Sequence, residues 1–246
     1  MTITQQDHLK DHKALVTGAT SGLGKAIALR LARDGAEVVV VGRNAIRGAE
    51  TVNEITGLGG RARFVAADLN DPLDIQRLAK DAGDIDILVN NAGRSVWAPT
   101  ENLAVEDFDS MFASNVRAPF YLVAAFAPAM AARGGGSIVN ISSMAGRIGL
   151  PNGAAYGATK AALASLTQSW TAEYSPRGVR VNAVAAGPIY TRPEARELFD
   201  NLGATTALHR AADPAEIAEV VAFLASPRAS YVTGAIVAAD GGRTAI

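Results

Sequence analysis

Tyr156-Gly-Ala-Thr-Lys160 sets a phenol and an ammonium four residues apart, one turn along a helix and on the same face. A cation so placed favours tyrosinate and lowers the tyrosine pKa of about 10. Such a pair can give a proton to a developing alkoxide or take one from an alcohol. Lys160 is the only lysine after Lys80, in a chain that otherwise carries its positive charge as arginine. A surface tyrosine and lysine on an ordinary helix have the same spacing, so the five residues alone leave both readings open.

A second constellation lies near the N-terminus, in Thr17-Gly18-Ala19-Thr20-Ser21-Gly22-Leu23-Gly24. Glycines between a buried strand and an amphipathic helix let backbone approach a pyrophosphate, and the helix start offers free N–H groups. Gly18, Thr20, Ser21, Gly22, Leu23 and Gly24 are therefore candidate cofactor contacts. The spacing is G-x-x-x-G-x-G, not the general G-x-G-x-x-G, and a tight turn without a ligand is the alternative. The next strand ends in Val41-Gly42-Arg43-Asn44. An acidic residue at position 42 would take the ribose hydroxyls of NAD. Glycine there, followed by Arg43 and Asn44, favours NADP, whose 2′-phosphate suits the guanidinium fork. Arg43 stacked on adenine or turned to solvent is the competing view. Asp68 and Leu69 are plausible neighbours of the adenine, although Asp68 could equally cap a helix.

These residues must be held by a regular frame, and the sequence supplies one. Apolar runs suggest strands at Ala14–Thr17, Glu37–Val41, Ala62–Ala67, Ile85–Val89, Ser137–Ile141, Arg180–Val184 and Ala235–Ala238; several are apolar throughout, as in strands covered on both faces. Helical patterns fill the gaps at Leu23–Asp34, Ala45–Thr56, Pro72–Asp81, Val105–Arg133, Ala155–Tyr174 and Pro214–Leu224. Asp213-Pro214 reads as an N-cap and first turn, and Gly35, Gly134 and Gly178 as helix stops. Alternation of this kind predicts an α/β fold: a single doubly wound Rossmann-type domain with a parallel seven-stranded sheet and helices on both faces. Residues 1–12 read as a polar leader and 13–246 as one dinucleotide-binding catalytic domain.

Composition narrows the function. The 246 residues are 49% hydrophobic and 19% charged, with a net charge of −1 and scattered arginines. This offers no footprint for nucleic acid. Cysteine is absent, which excludes thiolate chemistry and disulfides and accords with a cytoplasmic setting. No apolar run approaches a membrane span. His8 and His12 have metal-ligand spacing but no third ligand, and His209 stands apart; no metal is expected.

With Asn90-Asn91-Ala92-Gly93 added to the glycine turn and to Tyr156-x-x-x-Lys160, the chain closely resembles the short-chain dehydrogenase/reductase family from Lys13 to Gly242. It is especially similar to the branch with 3-oxoacyl-acyl-carrier-protein reductases and ketone reductases. The ending Tyr231-Val232-Thr233-Gly234 … Asp240-Gly241-Gly242 is also of that kind. The resemblance implies a catalytic group of Asn115, Ser143, Tyr156 and Lys160. Ser143 is the serine thirteen residues before the tyrosine, which leaves Ser142 as a structural hydroxyl. The implied reaction is hydride transfer between NADP(H) and a carbonyl or secondary alcohol. Tyr156 would serve as general acid/base, Ser143 would orient the oxygen, Lys160 would bond the ribose and lower the tyrosine pKa, and Asn115 would hold a relay water. Asn90, Ala92, Gly93, Tyr156, Lys160, Gly187, Ile189 and Thr191 would also contact the cofactor. Ala186 departs from the family's usual proline, so a looser loop entry is expected. Residues 190–212 are expected as a substrate lid. Arg94, Trp97 and Tyr190, with Ser143 and Tyr156, are candidate substrate contacts, and Arg94 is either an anion binder or a solvent-facing loop residue. The resemblance further implies a homotetramer acting on a small-molecule substrate. An NAD-dependent alcohol, sugar or sterol dehydrogenase is the alternative enzyme; a non-catalytic nucleotide-binding regulator has no need of the intact Ser143, Tyr156 and Lys160.

Overall fold

A computed structural model of the chain describes residues 8–246. Seven parallel strands form one sheet: β1 (Lys13–Thr17), β2 (Glu37–Gly42), β3 (Arg61–Ala66), β4 (Ile87–Asn90), β5 (Gly136–Ser143), β6 (Val179–Ala186) and β7 (Ile236–Ala239). Their order is β3-β2-β1-β4-β5-β6-β7. The chain winds outward from β1 to β3, then returns to β4 and winds the other way. The reversal opens a crevice between β1 and β4 at the C-terminal ends of the strands, where such sheets bind ligands.

The apolar runs are covered on both sides. Val38 and Val40 face one core with α1 (Gly22–Arg33), α2 (Ala45–Gly57) and α8 (Pro214–Ala225). Val39 and Val41 face the other with α3 (Pro72–Ala82), α5 (Ala118–Ala132) and α6 (Ala154–Tyr174). Alternation along each strand thus supplies two apolar layers, which is why these strands read as unbroken hydrophobic stretches. Gly35, Gly134 and Gly178 all have positive φ after their helices, as helix stops require.

Three features differ from expectation. The N-terminal leader is polar in composition, yet Leu9 is fully buried and its N–H donates to the Asp34 carbonyl at 2.9 Å. The domain therefore already includes residues 8–12; residues 1–7 lie outside the described ones. The long helix expected over Val105–Arg133 is divided into α4 (Val105–Phe112), a π-helical turn at Ala113–Arg117, and α5. Pro119 explains the break, since it has no N–H to continue an α-helical ladder. Residues 190–212 contain a helix, α7 (Arg196–Gly203), whose polar face hid it among loop residues.

Candidate active site

The C-terminal ends of β1 to β6 and the helices α1, α2 and α6 build the site. The glycine turn leaves β1 with Gly18 at φ 65° and Gly22 at φ 52°, values that L side chains resist. Gly24 serves close packing: a Cβ there would lie 2.2 Å from the Gly18 carbonyl oxygen. Asn91 ties this turn to β4, its Nδ2 donating to Thr17 O at 2.8 Å, while Thr17 Oγ1 accepts the N–H groups of Asn91 and Ala92 at 2.9 and 3.0 Å. Beside it runs a trough of about 400 Å³ lined by Gly18, Thr20, Ser21, Arg43, Asn44, Asp68, Leu69, Ala92 and Gly93. Arg47, passed over in the sequence, lines it too. One turn of α2 from Asn44, which caps that helix by accepting the Arg47 N–H at 3.0 Å, was the available signal. The guanidiniums of Arg43 and Arg47 have no ion pair among the described residues. Asp68 accepts the Asn70 N–H at 3.0 Å, and Asp71, not Asp68, caps α3.

The trough runs on, past Asn91, Gly93 and Arg94, into a cleft of about 260 Å³ lined by Leu23, Ser143, Tyr156, Lys160, Gly187, Ile189 and Thr191. Ser143 ends β5 in extended conformation and Tyr156 stands in the first turn of α6. Two glycines bring these elements together. A Cβ on Gly157 would lie 2.6 Å from Ala145 O, and one on Gly146 would lie 2.8 Å from Ala161 N. The nearby Ser143 hydroxyl eases the ionisation of Tyr156, but burial outweighs this and holds the Tyr156 pKa above its ordinary value. Ser142 points the other way and donates to Lys160 O at 3.0 Å. Lys160 is buried; its Nζ donates to Ile141 O at 2.8 Å and lies 5.7 Å from the Tyr156 ring centroid. Burial lowers its own pKa to about 8. The expectation that Lys160 depresses the Tyr156 pKa is therefore corrected for this state of the protein. The ammonium is turned to a backbone carbonyl, and desolvation governs both groups.

Asn115 sits in the π-turn behind the cleft with every side-chain hydrogen-bonding position taken. Its Oδ1 accepts from Arg94 N at 2.8 Å and Ser114 Oγ at 3.0 Å, and its Nδ2 donates to Arg94 O at 2.8 Å and Thr159 Oγ1 at 3.0 Å. The side chain has no room for a relay water. Its carbonyl is in a different condition. The Ala118 N–H goes to Ala113 O, and residue 119, which would serve Asn115 O in an α-helix, is proline. Gly93 keeps this region open: a Cβ there would come 3.0 Å from Asn115 Oδ1 and 3.5 Å from Lys160 Nζ.

Other expected contacts are placed differently. Asn90 turns from the trough into the interior and donates to Asn140 Oδ1 at 2.8 Å; the cleft-side asparagine is Asn91. The Arg94 guanidinium pairs with Asp107 at 2.5 Å, so the cation is already partnered where the residue lines the cleft. Tyr190 donates its hydroxyl to Asp200 Oδ1 at 2.5 Å and packs within its own segment against Phe199. Trp97 does stand beside Tyr156, with ring centroids 5.7 Å apart. The loop entry after Ala186 is firm despite the missing proline. Gly187 N donates to Ala239 O at 3.1 Å, Ala212 N to Pro188 O at 2.9 Å and Tyr190 N to Ala212 O at 3.0 Å. Thr191 then meets the glycine turn at Gly22.

A family model described as enoyl-(acyl carrier protein) reductase matches residues 18–244. A solved structure described as a short chain dehydrogenase/reductase family protein is 49% identical, covers 97% of this chain and 100% of its own, and superposes with a TM-score of 0.92. The chain belongs to the short-chain dehydrogenase/reductase family. Among other members, an uncharacterized oxidoreductase of Thermotoga maritima is 37% identical over 243 residues, covering 94% of this chain and 97% of that protein. Angucycline C-6 ketoreductase LanV, crystallised with bound NADP, is 37% identical at a TM-score of 0.92, covering 97% of this chain and 98% of its own. As an oxidoreductase of this family, the chain carries a serine, tyrosine and lysine meeting in one cleft that opens onto a glycine-lined trough.

Proposed function

We propose that the protein transfers hydride between NADP(H) and a carbonyl or secondary alcohol substrate, with Tyr156 as general acid/base. One observation carries the reading: the Tyr156–Ser143 pair and Lys160 share a cleft continuous with the glycine turn. The residues suit a dinucleotide, because glycine is required where side chains would fill the cradle and two unpaired arginines flank the adenosine end. That NADP is bound in LanV supports the same choice here. The cofactor supplies the hydride and, when oxidised, a positive ring.

The other tasks belong to the chain. Tyr156 is neutral at physiological pH and so is ready to protonate a developing alkoxide; in the reverse direction its tyrosinate takes the alcohol proton. Ser143 bonds the same oxygen and sets its distance from the phenol. Lys160, which donates to Ile141 O, would hold the nicotinamide ribose, and its charge turned toward the phenol would favour tyrosinate. A water on the Asn115 carbonyl, not on its side chain, passes the proton on from Lys160. Residues 190–212 act as the lid over the substrate, with Trp97 on the opposite wall. The working form is a homotetramer, for which the exposed Val105, Phe108, Phe120 and Tyr121 on α4 and α5 supply an apolar face.

Tyr156→Phe should reduce turnover of an active carbonyl substrate by at least about a hundredfold, with NADPH affinity within about twofold of wild type. The measurement is initial rate against a carbonyl panel, paired with fluorescence titration of NADPH. Substantial residual turnover would remove Tyr156 from its role.

A further inference from the structure

Gly42 ends β2 where an acidic side chain would take the ribose hydroxyls of NAD. Its backbone does not call for glycine, since it is not among the residues with positive φ. What reserves the position is Thr20. A Cβ on Gly42 would stand 2.7 Å from Thr20 Cγ2 and 3.2 Å from Thr20 Oγ1. Rotating the threonine can relieve the shorter contact but leaves a heavy atom at the 3.2 Å position, tighter than an ordinary contact. Two of its three staggered positions face Gly42 and two of its three substituents are heavy atoms, so at least one always remains there.

Nor can the backbones part easily. Ala19 N donates to Val41 O at 3.0 Å, which pins the glycine turn to the end of β2. Ala67 N donates to Gly42 O at 3.1 Å, which pins Gly42 from the side of β3. Both Thr20 and Gly42 line the trough beside the unpaired guanidiniums of Arg43 and Arg47.

We propose that Thr20 is a specificity-determining residue for the cofactor. Its branched side chain fills the volume that a ribose-binding carboxylate at position 42 needs, and leaves the 2′ position to Arg43 and Arg47. The proposal rests on the NADP reading above. Replacing the glycine alone therefore does not convert the enzyme to NAD. Conversion requires Thr20 to be cut back as well, because its Cβ, 3.5 Å from the added atom, is at ordinary contact distance.

The test is calorimetric titration of NADP+ and NAD+ into wild type, Gly42→Asp and the double variant Thr20→Ala/Gly42→Asp. Gly42→Asp should bind both cofactors about tenfold more weakly. The double variant should bind NAD+ at least about tenfold more tightly than Gly42→Asp, while its NADP+ affinity stays low. A gain in NAD+ affinity from Gly42→Asp alone, or no gain on adding Thr20→Ala, overturns the proposal. If Gly42→Asp does not fold, Gly42→Ala with and without Thr20→Ala probes the same contact through NADP+. Weakening by the first and recovery in the second are expected, and the lack of either overturns the idea. The wild-type titration judges the cofactor reading separately: tighter NAD+ than NADP+ refutes NADP preference, whereas the lock is judged by the paired variants.

Discussion

Lys160 is an ammonium held where water does not reach it, and that condition can be measured. With its pKa lowered from 10.5 to about 8 by burial, the folded protein binds fewer protons than the unfolded chain between those values. Stability from this group therefore rises with pH through that window, by an amount on the order of 3 kcal/mol. Lys160→Met removes the dependence. The melting temperature of the variant minus that of wild type, taken without cofactor, should fall as pH rises from about 8 to about 10.5; a constant difference would deny the burial cost. At the other end of the cleft, Arg43→Asp should weaken NADPH at least about tenfold more than NADH. Equal weakening in parallel titrations would exclude a 2′-phosphate contact. At this scale the sequence was informative for Ser143, Tyr156 and Lys160, because their spacing is tied to one strand end and one helix turn. It was silent on the partners of Arg94 and Tyr190, since Asp107 and Asp200 are brought to them by packing that no local pattern displays.

At the scale of elements, the π-turn between α4 and α5 does what neither helix could. It leaves the Asn115 carbonyl without its α-helical donor while the Asn115 side chain clamps the Arg94 backbone. Pro119→Ala restores an N–H four residues on and invites the turn to close. Turnover should then fall by about tenfold or more with cofactor affinity nearly unchanged, so rapid kinetics and titration together decide it; unaltered turnover would free the carbonyl from the relay. The strands were legible from their apolar runs to within a residue or two at most ends, since both faces of the sheet are covered. The π-turn was written in the sequence as Asn115-Val-Arg-Ala-Pro119, but apolar periodicity continues across it and masks the interruption. Helix α7 escaped for the opposite reason: Leu198 and Leu202 are exposed, so no buried stripe announces it.

At the scale of the whole molecule, α5 is apolar on more than its core face, with Phe120 and Tyr121 about half exposed. Such a helix is ordinarily covered on both sides. The proposed tetramer should elute with the mass of four chains, and Phe120→Glu should shift it to smaller species while each chain stays folded by circular dichroism. A wild-type monomer would contradict the assembly. The alternation of strands and helices announced a doubly wound parallel sheet, whereas the order of the strands, and with it the crevice between β1 and β4, comes from the structure. The segment Asn91–Arg94 gives that crevice a further property. It is a party wall, forming one side of the glycine-lined trough and one side of the cleft that holds Tyr156, and it is riveted to the glycine turn by Asn91 and to the π-turn by Asn115. The two chambers therefore cannot be inherited or grafted as separate modules. A chimera that exchanges one of them must carry the wall and both rivets with it, or lose the alignment of the other.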